Sequence, residues 1–186
     1  PAGILQTPFF SANVPDSLNY GCIGAIIGHE ISHGFDDIGR QFDKAGNAEP
    51  WWSDNTIKSF TERAQCFIDQ YNNYTIKELS SGPKVYYANG ELNQGENIAD
   101  TTGLIASYEI FKRRSKQRYN EEPRLLGLES FTHDQLFFIS YGNTWCETVT
   151  KEYLTFLAAS DAHPTNRLRV TGTLGNSEGF NKAFNC

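Results

Sequence analysis

IGHEISH, at residues 27–33, contains two histidines four positions apart and a glutamate directly after the first of them. On a helix, positions i and i+4 lie on one face, so the imidazoles of His29 and His33 are able to reach one zinc ion. Glu30 faces the same cleft but is too close in sequence to share the metal, so it is free to take a proton from an attacking water. The apolar residues AIIG at 25–28 predict a buried helix, in which two unpaired imidazoles would be costly. The motif therefore predicts a zinc site rather than a pair of exposed histidines.

A catalytic zinc site needs a third protein ligand and an open position. No histidine follows His33 until His133, which excludes the arrangement with a third histidine shortly after the motif. The other arrangement uses a glutamate on a later helix, and Glu96 in GENIAD at 95–100 fits it. Asp100 lies one turn further along the same face, where its carboxylate is able to orient a ligating histidine. The helix dipole also favours an acidic residue in any first turn, so spacing alone leaves both interpretations of Glu96 open.

The polar tail of the chain supplies two further candidates, His163 and Arg169. A peptidase benefits from a hydrogen-bond donor aimed at the oxyanion that develops on the scissile carbonyl. His163, in the turn sequence DAHP at 161–164, is such a donor, although a lone loop histidine is more often a surface residue. His133 has no comparable context and is interpreted as a surface or capping residue.

Length and composition predict one folded domain over residues 1–186, since hydrophobic residues make up 39% of the chain and aromatic residues 13%. The net charge is -6 and the longest basic run is KRR at 112–114, which argues against nucleic acid or an anionic membrane as the partner. No apolar run reaches the length of a membrane span, and the N-terminus lacks the features of a signal peptide. The chain starts at Pro1 without methionine, so we expect a piece of a longer protein.

Cysteine spacing and one sequon bear on the cellular compartment. The cysteines contain no CxxC pair, so a zinc ribbon is disfavoured while disulfides stay open. The four positions are Cys22, Cys66, Cys146 and Cys186. NYT at 73–75 makes Asn73 a candidate for N-glycosylation, which has meaning only on the secretory route.

Hydrophobic periodicity predicts a mainly α-helical fold with few short strands. Ser53 is expected to cap the second helix, and Thr132 with Gln135 is expected to form a capping box at the start of the fourth. The expected helices cover residues 17–33 with a stop at Gly34, a segment after Ser53, 94–116, about 132–159, and 177–184. Short extended segments are expected at 85–88 and 169–171. On the third helix the residues expected to face inward are Ile98, Ile105, Tyr108 and Phe111.

The order of several motifs resembles the neprilysin and endothelin-converting-enzyme family of zinc metallopeptidases. The resemblance covers essentially the whole chain, and its motifs are specific in order and spacing. They are PAGILQ at 1–6 with PFF at 8–10, NYG at 19–21, IGHEISHGFDD at 27–37, WW at 51–52, QYNNY at 70–74, GENIAD at 95–100, YGNTWC at 141–146, HP at 163–164 and RV at 169–170.

The resemblance implies a thermolysin-like zincin catalytic core of the gluzincin type, mainly α-helical and incomplete at both ends. It implies one zinc ion per chain, with His29, His33 and Glu96 as ligands. Glu30 takes the role of general base, and Asp100 the role of orienting a ligand.

The resemblance also implies residues that contact the substrate. His163 becomes the donor to the transition state, and Arg169 the contact to a substrate backbone carbonyl. Ile26, Phe9 and Trp145 fall where the family lines an apolar pocket for the residue after the scissile bond. A plain core position is the alternative for these three, and for Phe9 the two interpretations are equally supported.

Parts of the family's catalytic unit are absent from this sequence: an upstream Asn-Ala motif that binds the substrate backbone, a large N-terminal part that covers the active site, and the stretch after Cys186. The resemblance implies that Cys66, Cys146 and Cys186 pair outside the chain, so no disulfide is expected among them. Cys22 stands where relatives often have glycine and is interpreted as a small buried free thiol.

The resemblance further implies partners and a location. The partners are peptide substrates and the missing N-terminal part of the same chain, with no nucleic acid and with a membrane only through an absent anchor. The location is an extracellular or cell-surface ectodomain, either secreted or anchored as a type II membrane protein.

The leading hypothesis is a zinc-dependent endopeptidase that hydrolyses small peptides on the amino side of hydrophobic residues, through a water activated by Glu30. A thermolysin-like peptidase of a different family shares the first ligands, but WC at 145–146 and the tail disfavour it. From another class, the alternative is a non-catalytic zinc-binding or adhesion module that keeps the fold. The intact Glu30 favours catalysis, because an inactive module is expected to lose its base first.

Overall fold

The computed structural model describes residues 2–80, 83–118 and 122–186. Within these ranges the α-helices are α1 (Asp16–Asn19), α2 (Ala25–Ser32), α3 (Asp54–Asn72), α4 (Gln94–Gln117), α5 (His133–Thr144), α6 (Lys151–Ser160), α7 (Asn166–Gly175) and α8 (Glu178–Phe184). A π-helical stretch, Tyr20–Gly24, joins α1 to α2, and short 3-10 helices cover Ala2–Ile4, His33–Phe35 and Gly39–Gln41. The extended pairings in the described residues are two isolated bridges, Phe42 with Ala48 and Thr75 with Tyr87. The mainly helical fold expected from the sequence is confirmed.

The centre of the fold is the packing of α2 against α4. Gly28 on α2 faces Gly103 on α4, and a Cβ built on Gly28 would lie 2.6 Å from the Gly103 carbonyl oxygen. Only residues without a side chain allow two helices to approach this closely. Behind this crossing, Ala25 and Leu104 pack with Phe137 of α5 in the main hydrophobic core.

A second core cluster holds α3, α6 and α7 together. Tyr71 of α3 is fully buried and packs with Leu154 of α6 and Leu168 of α7. The segment after α3 adds Ile76 and Leu79 to the same cluster. This cluster anchors α7, which carries Arg169, against the rest of the fold.

Helix starts follow the side-chain caps that the sequence predicts. The Ser53 hydroxyl accepts a hydrogen bond from the Thr56 amide at the start of α3. Thr132 and Gln135 form the expected capping box at the start of α5. A helix N-terminus has backbone N–H groups without intrahelical partners, so these oxygens fix where each helix begins.

Three local expectations are wrong. The helix expected over 132–159 is two helices, α5 and α6. The segment between them contains the β-branched residues Thr148, Val149 and Thr150, which disfavour a helix. The Thr150 hydroxyl accepts a hydrogen bond from the Tyr153 amide and so caps the start of α6. The strand expected at 169–171 lies inside α7, whose face toward the core is formed by Leu168, Arg169, Gly172 and Thr173. Tertiary packing of that face overrides the local β-propensity.

The third wrong expectation concerns Ile105, which is 42% exposed. The inward face of α4 runs instead through Leu104, Ser107 and Phe111. These positions repeat at helical spacing, and Ile105 lies about 100° around the helix from Leu104.

Within the described residues, no helix is both long enough and apolar enough to cross a membrane.

Candidate metal centre and active site

The two motif histidines lie side by side where α2 runs into a 3-10 turn. His29 is in the last turn of α2, and His33 opens the turn His33–Phe35. Their Nε2 atoms are 2.9 Å apart, and their rings meet edge to face with centroids 4.5 Å apart. His29 is buried at 7% exposure, while the side chain of His33 is 30% exposed.

Glu96 reaches both imidazoles from the first turn of α4. Its Oε2 lies 3.2 Å from Nε2 of His29, and its Oε1 lies 3.6 Å from Nε2 of His33. One ligand atom from each of the three residues lies within 4.8 Å of the others. Among the described residues, this is the one group of three or more histidine, cysteine or acidic side chains close enough to hold a metal ion.

Two carboxylates orient the imidazoles from behind. Asp100 Oδ1 is 2.7 Å from Nδ1 of His29, and Asp36 Oδ2 is 2.7 Å from Nδ1 of His33. The other oxygen of Asp36 accepts hydrogen bonds from the amides of Ile38 and Gly39, at 2.9 and 2.6 Å. A carboxylate accepts, so each Nδ1 is the donor, and Nε2 is the ring nitrogen left on the side of Glu96.

The donor set fits a zinc ion. The Nε2 atoms of the two rings are 2.9 Å apart, close enough for both to bind one ion. Glu96 Oε2 is buried and, although close to two imidazoles, makes no hydrogen bond of acceptable direction. Two histidines and one glutamate are a ligand set of catalytic zinc sites, which leave the fourth position open.

The charges around the site favour a cation. Burial acts to lower the pKa of His29, but Asp100 and Glu96 outweigh it and raise that pKa to about 9. Burial acts to raise the pKa of Glu96, but the imidazoles of His163 and His29 hold it well below its ordinary value. Glu96 is therefore an anion, and its closeness raises the pKa of His163 as well.

The tail brings His163 and Arg169 to the same place. His163 Nε2 lies 3.1 Å from Glu96 Oε2, and its Nδ1 lies 2.7 Å from Asp161 Oδ1. Arg169 holds Asp100 through two hydrogen bonds, from Nε at 2.7 Å and from Nη2 at 2.6 Å. Its guanidinium carbon lies 3.9 Å from the centre of the Trp145 ring.

These contacts give Arg169 a role that its sequence position did not indicate. The side chain is buried and engaged with Asp100, so it fixes the carboxylate that orients His29. Its contact to a substrate carbonyl stays a prediction.

A cavity of about 330 Å³ opens beside the candidate metal site and is lined by one of its three residues, His29. Glu30 and His163 line it, as do the three residues expected to form a pocket, Ile26, Phe9 and Trp145. Sequence reasoning missed six other lining residues, which are Ile4, Cys22, Ala25, Tyr141, Thr144 and Asn166. For Cys22 a signal existed, since it lies seven positions before His29 on the same helical face.

Asp36, outside the cavity lining, is a further residue that sequence reasoning missed. The sequence offers only a weak signal for Asp36, namely an acidic residue three positions after His33. Its carboxylate reaches the His33 ring because the turn His33–Phe35 directs it back, and the sequence does not show that turn.

The remaining candidates lie away from the metal centre. Asn73 is exposed at the end of α3, where its amide nitrogen donates to the Asp69 carbonyl. His133 begins α5 and lies 2.8 Å from the Glu122 carbonyl oxygen, at a helix start as expected. All four cysteines are free thiols, and Cys22 is the buried one.

Comparisons with known proteins agree with this site. The family profile described as "Peptidase family M13" matches residues 1–186. Neprilysin-1 of Caenorhabditis elegans is 46% identical and neprilysin of Homo sapiens is 45% identical, each over the whole chain. The chain spans 24% of the length of either protein.

Solved structures give the same result. The zinc metalloprotease of Mycobacterium tuberculosis in complex with inhibitor superposes with a TM-score of 0.89 at 35% identity. That alignment covers 100% of this chain and 27% of the other. The Haemonchus galactose-containing glycoprotein complex superposes with a TM-score of 0.86 at 39% identity, covering 100% of this chain and 30% of the other.

Proposed function

The chain belongs to peptidase family M13, and on that premise we propose that residues 1–186 form the catalytic domain of a zinc-dependent endopeptidase. The enzyme hydrolyses small peptides on the amino side of hydrophobic residues. The single observation that carries the proposal is the grouping of His29, His33 and Glu96 beside a cavity that His29 and Glu30 both line. A metal site needed only for stability would be closed, whereas this one borders open space.

One zinc ion per chain is held by His29, His33 and Glu96. When bound, zinc supplies a Lewis acid that polarises the scissile carbonyl and makes water more acidic. Asp100 and Asp36 keep both rings turned with Nε2 toward the ion, because each carboxylate accepts the proton of Nδ1.

Glu30 is the general base. It follows His29 directly, lines the cavity and is exposed, so its carboxylate is free to take a proton from the attacking water. The same carboxyl then returns that proton to the leaving amine, which completes the cleavage.

His163 stabilises the oxyanion that develops on the scissile carbonyl. Glu96 raises the pKa of His163, and Asp161 raises it further, although desolvation acts to lower it. The raised pKa favours a protonated ring, whose Nε2–H is available as a donor. Arg169 positions Asp100, and a nitrogen of its guanidinium that borders the cavity serves a substrate carbonyl.

The substrate side chain after the scissile bond occupies the cavity. Ile26, Phe9 and Trp145 supply its apolar lining, which accounts for a preference for hydrophobic residues.

The parent protein is an extracellular or cell-surface ectodomain, secreted or anchored as a type II membrane protein. The missing N-terminal part of the same chain covers the active site and completes the substrate groove. A glycan on Asn73 fits this location, since that side chain is exposed at the end of α3. Cys66, Cys146 and Cys186 are exposed and are available for disulfides with parts of the parent outside these residues.

The test separates metal binding from turnover in the protein at its full natural length. Glu30→Gln should keep zinc, because Glu30 is not a ligand, and should lower the kcat for a peptide substrate by at least about 100-fold. Glu62→Gln is the matched control, since Glu62 is exposed on α3, and it should leave both quantities unchanged.

Loss of zinc in Glu30→Gln would contradict the division of roles, and retained turnover would mean that another group is the base. A wild type that holds zinc but cleaves no peptide would support the non-catalytic zinc-binding or adhesion module instead.

A further inference from the structure

The cavity beside the metal centre follows one stripe of the helix that carries the motif. Cys22, Ala25, Ile26, His29 and Glu30 all line it, and they repeat at the spacing of one helical face. Cys22 is seven residues from His29, which is roughly 10 Å along a helix axis. The stripe therefore runs from the ligands at one end of the cavity to Cys22 at the other.

Two helical segments touch at the Cys22 side of the cavity. The Thr144 hydroxyl, at the end of α5, donates toward Cys22 Sγ at 3.1 Å and to the Ser140 carbonyl at 3.0 Å. Cys22 and Thr144 both line the cavity, so at this point its wall is formed by two side chains in contact. Cys22 is 5% exposed, so its side chain is part of the wall and is not a surface thiol.

Neither Cys22 nor Thr144 offers an unused polar group to a ligand. The Thr144 hydroxyl is engaged with Cys22 Sγ and the Ser140 carbonyl. Burial raises the pKa of the Cys22 thiol, so the thiol stays neutral. A polar side chain entering this end would lose its hydration without gaining a partner, whereas an apolar one would lose nothing.

We propose that Cys22, through its contact with Thr144, sets the depth of the pocket and so determines which apolar side chain fits after the scissile bond. The proposal rests on the proposed function and adds to it a residue that selects substrates by size. The class selected is a peptide whose residue after the scissile bond has an apolar side chain ending short of the Cys22–Thr144 contact.

The experiment varies the pocket and the substrate together, in the protein at its full natural length. The substrates are one peptide series with alanine, valine, leucine, phenylalanine or 4-biphenylalanine after the scissile bond. Cys22→Leu fills the part of the cavity beside Thr144, and Cys22→Ala enlarges it. Cys22→Ser, whose side chain is close in size to cysteine, is the matched control. Each variant is first checked for zinc content and for its circular dichroism spectrum.

The expected result is a change in the order of preference. Cys22→Leu should lower kcat/KM for phenylalanine relative to alanine by about 10-fold or more, because one methylene in such a pocket changes rates by about 10 to 200-fold. Cys22→Ala should raise the ratio of 4-biphenylalanine to phenylalanine by several-fold. Cys22→Ser should keep the wild-type order. If Cys22→Leu does not fold, Cys22→Ala carries the test by itself.

A role of Cys22 in core packing alone would scale all substrates equally, and that uniform result would overturn the proposal. The same side chains built into peptide hydroxamates give a second measurement, since their dissociation constants do not require turnover. A wild type that cleaves no peptide but binds the hydroxamates in a Cys22-dependent order would contradict the proposed function and support the pocket. Cleavage with an unchanged order would contradict the pocket and support the function.

Discussion

Replacing Gly103 by alanine tests whether the approach of α2 to α4 sets the geometry of the metal site. A Cβ at Gly103 would lie 2.3 Å from the His29 amide nitrogen, 2.7 Å from the Gly28 carbonyl carbon and 2.8 Å from the His29 Cα. All three are backbone atoms, so no side chain is able to rotate away. Ordinary contact between such atoms needs roughly 3.5 Å, and the two helices must therefore separate by roughly 1 Å.

That displacement acts directly on the ligands, because His29 and Glu96 lie on the two helices that move apart. Metal–ligand distances tolerate only about 0.2 Å of change, so we expect zinc affinity to fall by at least about 10-fold. Overpacking should also lower the free energy of unfolding by about 1–3 kcal/mol. Intrinsic helix propensity acts in the opposite direction, since alanine is favoured over glycine by about 1 kcal/mol.

The assay is a competition titration with a zinc chelator, together with thermal unfolding, on the wild type and the variant. Gly142→Ala is the matched control, since Gly142 also lies within a helix and its nearest contact to a built Cβ is Val170 Cγ1 at 3.9 Å. The control should bind zinc as the wild type does. A Gly103→Ala protein with wild-type zinc affinity and wild-type stability would refute the reasoning.

Two further predictions follow from contacts outside the ligand set. Asp36→Ala should weaken zinc binding by about 10 to 100-fold in the same titration, because His33 loses the acceptor of its Nδ1 proton. A zinc affinity equal to that of the wild type would contradict this role of Asp36. Asp16→Asn should destabilise the fold in a pH-dependent way. Burial opposes ionisation of Asp16, but Arg114 and Arg118 prevail and lower its pKa below the ordinary 3.8. Because the pKa of Asp16 is lower in the folded state than in the unfolded chain, ionised Asp16 stabilises the fold at pH values above its unfolded-state pKa. That stabilisation is lost as the pH falls through its folded-state pKa. Urea unfolding should therefore show that the free energy of unfolding of Asp16→Asn is lower than that of the wild type by less than about 1 kcal/mol at neutral pH. This difference should shrink only below about pH 4. A difference that grows toward low pH would contradict the sign.

Most of the helices and the closeness of the two motif histidines could be predicted because they depend on local spacing. Two histidines at i and i+4 meet on any helix, and the caps at Ser53 and Thr132 use atoms only three residues away. Glu96 was left open by spacing alone, since a first-turn acid is common. The crossing of α2 and α4 brings it within 3.2 Å of His29, which favours the ligand interpretation.

The residues that could not be predicted depend on tertiary contacts. Arg169 lies in a segment with β-branched neighbours, and its helix is stabilised by Asp100 from 69 residues away. Cys22 shares a helical face with His29, but its contact with Thr144 depends on the position of α5. No periodicity in the sequence records either contact.

The most direct test of the account is the zinc content of the wild type and of Glu96→Ala, measured by elemental analysis at full natural length. The account predicts about one zinc per wild-type chain, with the metal lost or its affinity sharply reduced in the variant. Zinc retained unchanged by Glu96→Ala, or a folded wild type without zinc, would contradict the metal centre on which the proposed function depends.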